Sequence, residues 1–551
     1  MLIREKIKKD LVETLDKIGV KTKEVVVEKT ADPKNGDYSS NVALQQYKTT
    51  QAKVWQSPLK FAKDLTDNFP RVDYLEKIEV APPGFINFFL SKDYLQREVA
   101  KIFSQKEDYA KLGLGSGKKA QIEFISANPT GPLTLGNGRG GFLGDALSNI
   151  LSCVGYEVER EYYINDYGSQ IKILGMSLAW AEGKLGKVPQ DLQLYQGDYI
   201  KKIAKKLSLK KVNWQDFDRL GKAGAKVILE EYIKPTVKKK MKIFFDNWFS
   251  EYRELHQKGL IKKGLEELEA KRLSYQKEGA IWFKTSKFEK SRDHVLVKSD
   301  GELTYHLTDI FYHKNKFERG FEKVIDIWGA DHLGHLPLVY GAVKALGIPD
   351  DWLSIIIVQL VRVVEKGKPI RLSKRRGAIV TIEDLLSQVP LDVARFFFLA
   401  RPADTHLDFD LSLARERSEK NPVYYIQYAH ARICSILRKA GGRLKVKGER
   451  KNLHLTPKTV HLLNHPAELA LIKKLIQLPE LIEDIAKNYQ VHALCFYLLE
   501  LADLWHKFYE QCKVLSKDNN LTQARLQLTK ASAIILQTSL GFLGISAPER
   551  M

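Results

Sequence analysis

Four cysteines in 551 residues are too few and too scattered for a disulfide framework or a zinc site: Cys153, Cys434, Cys495 and Cys512 show no C-x-x-C and no Cys/His ligand spacing. Each reads as a small buried hydrophobe, and no metal site in the protein is expected. Long apolar runs are also missing. No stretch approaches the roughly 18 uninterrupted apolar residues of a spanning helix, and the opening MLIREKIKKDL has no apolar signal core. A cytoplasmic protein with no membrane partner is therefore expected. Internal repeats and low-complexity tracts are absent too. Acidic charge is in short supply, with 67 Asp and Glu against 88 Lys and Arg, a formal net charge of +21. That field concentrates polyanions, which makes nucleic acid the leading class of partner. What is present is a globular composition, 44% hydrophobic and 10% aromatic, at a length that calls for two or three domains.

Residues 1–110 begin with Ile3, Ile7, Leu11, Leu15 and Ile18 at helical spacing. A strand is expected at 23–27, turn chemistry leads into a helix across 31–44, and turn chemistry leads into a strand across 81–90, together a small α+β module. The glycine- and lysine-rich stretch 111–119 reads as a linker. Strands then alternate with helices across 118–403, the pattern of a parallel α/β domain: a strand at 121–125, the loop ANPTGPLTLGNG, a helix from about Arg139 to Val154 and a strand near 156–163. Residues 185–295 read as helical insertions. Alternation resumes at 324–327, 336–346 and 355–364. From 404 to 551 the strands give way to an all-helical domain with apolar stripes such as Leu471, Leu475 and Leu478.

The glycine-rich loop opening the first α/β helix offers backbone N–H groups and a positive dipole end to a phosphate. Gly136, Gly138 and Gly141 fit G-x-G-x-x-G, with Glu157, Glu159 and Glu161 where a dinucleotide fold holds its ribose. That reading fails on length. Asn128 to Pro132 intervene between strand and glycines, and the prolines at 129 and 132 argue against an early helix start.

The whole segment FISANPTGPLTLGNGRGGFLGDALSNIL resembles the signature region of arginyl-tRNA synthetases, with the class I HIGH element at Thr134, Leu135, Gly136 and Asn137. Thr134 and Asn137 replace both histidines. The KMSKS element is represented by Arg371, Leu372, Ser373, Lys374 and Arg375 between GKPI and Gly377. Further segments resemble the same family in the same order: GDYSSNVAL, PPGFINFFL, REYYINDYGSQI, TYHLTDIFYH, WGADHLGH, DVARFFFLARPADTHLDFDL, NPVYYIQYAHARICSIL and the terminal SAPERM. Nearly the whole chain is covered.

The resemblance implies a multidomain α/β fold: an N-terminal α+β domain that contacts tRNA, a class I Rossmann-like parallel-sheet catalytic domain and a helical anticodon-binding domain. It implies ATP with Mg²⁺ as cofactors, arginine activated to its adenylate, transfer to tRNA-Arg, tRNA binding before activation, and a monomer. An arginine guanidinium carries five planar donors and calls for carboxylate and oxygen acceptors. Tyr305 and Asp309, four residues apart on a helix, share a face and suit it, and the family similarly uses this pair. Glu123 and Asn128 would by resemblance hold the rest of the amino acid. Gly136, Gly138, Asp331, His332, Ser373, Lys374 and Arg375 are the candidate ATP ligands, with Thr134, Asn137 and Lys374 acting on the transferring phosphate. Each has a plain structural reading beside this one: Tyr305 as core aromatic, Asp309 as surface charge, Glu123 as half of an ion pair, Asp331 as a helix cap. On the helix 421–437, Tyr425, Gln427, Tyr428 and Arg432 lie off the stripe of Ile426, His430, Ile433 and Leu437 and are candidates for unpaired anticodon bases. The basic runs 238–242 and 438–451 are phosphate contacts or solvated faces. The alternative function is a catalytically impaired synthetase paralogue that binds tRNA.

Overall fold

The computed structural model describes residues 1–22, 24–48, 54–186, 188, 192–210, 212–370, 380–443 and 457–551. The N-terminal module opens with the helix Ile3–Lys17, whose Ile3, Ile7, Leu11 and Leu15 are all buried, as their spacing requires. Its antiparallel sheet runs β1 (Glu28–Lys29), β2 (Tyr38–Ser40), β4 (Phe85–Leu90), β3 (Leu75–Ala81). The strand expected at 23–27 forms instead at Glu28–Lys29. Val25 and Val27 are buried without pairing, so their β-branched character serves packing and not a ladder. The two ends of the chain meet: Arg4 reaches Glu483 at 2.7 Å and Asp484 at 2.7 Å, and the Tyr38 hydroxyl donates to Glu480 at 2.9 Å.

The central domain contributes β5 (Lys119–Glu123), β6 (Glu157–Ile164), β7 (Asn247–Ser250), β8 (Ser274–Lys277), β9 (Ala280–Phe283), β10 (His294–Val297), β11 (Lys323–Gly329) and β12 (Leu353–Val358). Five of them form a wholly parallel sheet in the order β12-β11-β5-β6-β7. Chain connections leave β5 and β11 toward opposite sides of the sheet, and such a reversal opens a crevice at the strand C-termini where ligands bind. Residues 185–295 are not simply helical. They supply β7 to the main sheet and a separate antiparallel sheet of β10-β9-β8.

The helix expected from Arg139 starts four residues earlier, at Leu135. Thr134 and Asn137 make a reciprocal capping box that fixes this start, and the prolines at 129 and 132 lie outside it. Its glycines allow close contact with the sheet: a Cβ on Gly144 would lie 2.2 Å from the Phe124 ring. The single strand expected at 355–364 is broken after Val358, and β13 (Val361–Glu365) belongs to another sheet with β14 (Lys368–Pro369) and β15 (Leu407–Asp410). Buried Arg139 holds the break, donating to the carbonyls of Gln359 at 2.9 Å, Thr405 at 2.7 Å and Pro402 at 2.7 Å. β15 pairs in parallel with β13, so one strand persists beyond 404 and the purely helical region begins at Leu411.

One hydrophobic core runs without interruption from Ile3 to Ile545, joining all three regions, while smaller clusters underlie the insertion and the β11–β12 edge. Among the described residues, no helix is long and apolar enough to cross a membrane.

Candidate active site

At the end of β5 the chain turns sharply, with Ile125 at φ 67° and Ser126 at φ 37°, conformations uncommon for residues with a side chain. The Ser126 hydroxyl accepts from the Tyr163 N–H at 3.1 Å, which ties this turn to β6. Asn128 follows, half-buried, donating to Gln170 at 2.7 Å. The loop then meets the helix N-terminus, where the N–H groups of Leu135 and Gly136 precede the first intrahelical bond and have no acceptor within the helix. Gly136 is exposed. Gly138 is buried, and its N–H donates to the Thr134 carbonyl at 3.1 Å, so it offers nothing to a phosphate. A Cβ on Gly138 would lie 2.5 Å from Ile382, so this glycine serves packing.

The two residues standing where the family has histidines bond each other. The Thr134 hydroxyl donates to Asn137 Oδ1 at 2.8 Å, the Thr134 N–H donates to the same oxygen at 2.9 Å, and the Asn137 N–H donates back to Thr134 Oγ1 at 3.4 Å. Both acceptors and the one hydroxyl proton are thereby engaged. The Asn137 amide N–H₂ is the side-chain donor that remains. Thr134 also bridges Thr381, and the Ile382 N–H donates to the Leu133 carbonyl at 2.9 Å, so the chain returning from the second signature is anchored on the first. Ser373, Lys374 and Arg375 lie outside the described residues.

Tyr305 and Asp309 open the helix Tyr305–Glu318 at the mouth of the crevice. Tyr305 is 53% exposed, which removes the core-aromatic reading, and its ring stacks on His335 at 4.6 Å. The Asp309 carboxylate has no hydrogen-bond or ion-pair partner on the protein. Burial pushes its carboxyl up to about 7, with Glu251, Glu123 and Asp326 adding to the rise against the opposing influence of His313. Glu251, immediately after β7, is buried and faces the same space. It holds His256 Nε2 at 3.0 Å, bonds the Tyr163 hydroxyl, and accepts from the Asn165 amide at 3.1 Å in the orientation its neighbours require.

Beneath this space lies a buried charge network. Glu123 and Asp326 are register partners on β5 and β11, and Lys316 Nζ sits between them at 2.6 Å and 2.7 Å, while His313 Nε2 lies 2.9 Å from Asp326. Burial raises the Glu123 carboxyl, and Lys316 opposes that rise. For Asp326 burial acts the same way but Lys316 and His313 outweigh it, holding the group below its ordinary range. Glu123 is thus half of an ion pair as well as a residue at the pocket. An acid-rich site completed by one lysine keeps excess negative charge facing the open crevice.

Asp331 and His332 lie in the short turn after β11, both largely exposed, 3.6 Å apart. Asp331 caps no helix. Beside them His335, His306 and His294 form a chain of ring contacts at 5.1 to 5.7 Å. Burial, reinforced by its histidine neighbours, lowers the His335 imidazole. Among the described residues no group of three or more His, Cys, Asp or Glu is arranged to hold a metal ion.

On the helix Pro422–Arg443 the four anticodon candidates separate. Tyr428 is 46% exposed, and Arg432 donates to its hydroxyl at 2.7 Å while its guanidinium covers the Tyr509 ring at 4.3 Å. Tyr425 and Tyr428 both pack on His506. Gln427 is buried, and its amide donates to Asp392 at 2.9 Å and to the Ser546 carbonyl at 2.9 Å. Its donors are committed to holding the C-terminal segment, together with His430 on the Pro548 carbonyl and Arg438 on the Glu549 carbonyl, so it is removed from the base-contacting set. Of the basic runs, part of 438–451 lies outside the described residues.

Sequence reasoning missed Glu251, Lys316, His313 and Asp326. A carboxylate directly after a strand end is the signal for Glu251, but it becomes visible only once β7 is recognised.

Three family models cover the chain in order: "Arginyl tRNA synthetase N terminal domain" matches residues 2–90, "tRNA synthetases class I (R), catalytic domain" matches 98–395, and "DALR anticodon binding domain" matches 426–551. The arginine–tRNA ligase of Citrifermentans bemidjiense is 43% identical over 543 residues, spanning 95% of this chain and 94% of that protein. Arginine–tRNA ligase 1 of Halalkalibacterium halodurans is 39% identical over 100% of this chain and 99% of its own. The solved arginyl-tRNA synthetase of Thermus thermophilus superposes with a TM-score of 0.75 over 100% of both chains at 21% identity, a likeness of fold. With domains, order and length all matched, this chain belongs to the arginyl-tRNA synthetase family.

Proposed function

We infer that the protein is an arginine–tRNA ligase that selects arginine in the acidic space around Asp309. The observation that carries this is the partnerless Asp309 carboxylate, crowded by Glu251 and Glu123, with Tyr305 at the rim. Buried like charges are costly, and a planar cation with several N–H donors relieves that cost in one binding event. Asp309, Glu251 and the Tyr305 hydroxyl receive the guanidinium; Glu123 and Asn128, at the end of β5, face the rest of the amino acid.

The reaction runs in two displacements. An oxygen of the arginine carboxylate attacks the α-phosphorus of ATP, and the bond to pyrophosphate breaks. The ribose hydroxyl of the terminal adenosine of tRNA-Arg then attacks the arginyl carbonyl carbon, losing its proton as AMP departs. No covalent bond to the protein is needed, so catalysis is positioning and charge stabilisation. The free N–H groups of Leu135 and Gly136 and the Asn137 amide are the donors at the phosphate, and Thr134 aligns Asn137. Asp331 and His332 border the nucleotide. Ser373, Lys374 and Arg375 supply charge to the leaving pyrophosphate. Magnesium enters as the counter-ion of the triphosphate, and no step is assigned to a protein-held metal. Tyr428 and Arg432, with Tyr425 behind them, are the surface for unpaired anticodon bases, and the protein acts as a monomer.

The test is arginine-dependent ATP–pyrophosphate exchange with and without cognate tRNA, with citrulline as the neutral isostere. Exchange with arginine and tRNA, and none with citrulline, is expected. Absence of exchange in the full mixture returns the chain to the impaired-paralogue reading.

A further inference from the structure

Beside the arginine pocket, at the same end of the sheet, stands an aromatic stack with no part in the reading above. Tyr167, three residues after β6, is 38% exposed. Its ring lies 3.8 Å from that of His256 at 25° and 6.0 Å from that of Tyr252 at 15°, and Lys222 Nζ stands 3.7 Å from the Tyr252 ring and 5.8 Å from that of Tyr167. Two parallel rings and an imidazole, with one end open to solvent and an ammonium beside it, offer a face to a base and a charge to its phosphate.

The stack is wired to the pocket. His256 Nε2 lies 3.0 Å from Glu251 Oε1. The Asn165 amide reaches both Glu251 Oε2 and the Tyr167 carbonyl at 3.1 Å. Asp166 accepts from the Ser250 hydroxyl at 2.6 Å and the Tyr252 N–H at 2.9 Å, binding the segment after β6 to the segment after β7. Glu251 therefore touches the ring that backs Tyr167 on one side and crowds Asp309 on the other.

We propose that Tyr167, backed by His256 and Tyr252 and flanked by Lys222, is the platform on which the unpaired 3′-terminal adenine of tRNA stacks, and that Glu251 transmits its occupation to the arginine pocket. The inference rests on the ligase reading, because the ribose hydroxyl of that nucleotide must reach the arginyl carboxyl. A base on Tyr167 and a guanidinium on Asp309 then share one carboxylate, which gives each a differential effect on the other's binding.

The experiment compares arginine binding, read as the arginine KM of pyrophosphate exchange, with intact tRNA and with tRNA lacking its terminal adenosine. In wild type, removal of the adenosine raises the arginine KM. In Tyr167→Ala the two tRNAs give the same KM, and kcat/KM for aminoacylation falls about tenfold to a hundredfold, the size of one lost base stack. Affinity for the tRNA body, measured by filter binding, stays within about twofold of wild type. Tyr167→Trp restores the discrimination, which a merely structural role would not require, and Lys222→Gln weakens it, an independent check if Tyr167→Ala folds poorly. Wild-type exchange together with undiminished discrimination in Tyr167→Ala and Lys222→Gln overturns the proposal. No wild-type exchange at all overturns the ligase reading, and this inference with it.

Discussion

The pocket around Asp309 and the anticodon-facing helix Pro422–Arg443 both carry side chains suited to binding, yet they stand in opposite states. In the pocket Asp309 has no partner and its neighbours are other carboxylates, a costly arrangement that only a cation resolves. On the helix Gln427 is already bonded to Asp392 and Ser546, and Arg432 already rests on Tyr509 and Tyr428. The difference separates groups kept for a ligand from groups that build the protein: the first stay unsatisfied at a price in stability, the second are used up in the fold.

Asp309→Asn breaks the comparison most strongly. Losing a charge-assisted contact to the guanidinium costs about 2–5 kcal/mol, seen as a rise in the arginine KM; an unchanged KM removes Asp309 from the pocket. The same substitution stabilises the empty protein. A carboxyl whose folded value is raised to about 7 from an ordinary 3.8 contributes stability at low pH that is lost as pH rises through 7, so the gain in Tm is largest above that point. For wild type, arginine binding releases a proton, and affinity falls about tenfold per pH unit below pH 7 and is level above it. Calorimetry in buffers of different ionisation enthalpy checks that sign.

At the signature loop, Asn137→Ala removes the free amide donor and lowers the activation rate roughly 10- to 1,000-fold, about 1.4–4 kcal/mol, with little change in substrate affinity. Thr134→Ala should do less. Its hydroxyl is held by Asn137, so the loss is mainly a helix cap, about 1 kcal/mol of stability. Equal effects on single-turnover activation would return Thr134 to direct phosphate contact.

Tyr428→Ala sharpens the comparison on the other side, with about 1–3 kcal/mol of tRNA affinity lost if a base stacks there. The smallest effect on tRNA is expected from Gln427→Ala: affinity unchanged, and Tm lowered by the loss of its buried bonds, about 1–3 kcal/mol. A Gln427→Ala variant that melts normally but loses tRNA would reverse the assignment.

Much of this was legible along the chain. The first helix, the strand-loop-helix of the signature and the alternation of the α/β domain follow from periodicity and turn chemistry, both local properties. The Thr134 and Asn137 replacements were visible, but not that they would cap the helix together and pull its start back to Leu135. The helical reading of 185–295 hid β7, and with β7 the carboxylate of Glu251 at its end.

By itself the sequence determined the family, the order of the domains, and the Tyr305–Asp309 pair, since these rest on residues close together or on motifs in a fixed order. Only the tertiary structure decided which charges are answered. Lys316 meets Glu123 across 193 positions and Arg395 meets Asp145 across 250, while Asp309, with carboxylates all round it, meets nothing. Local pattern tells a residue whether it is buried, but the partner of a buried charge is set by which distant strand or helix is packed beside it, and the vacancy that defines a binding site is visible only when every other partner is in place.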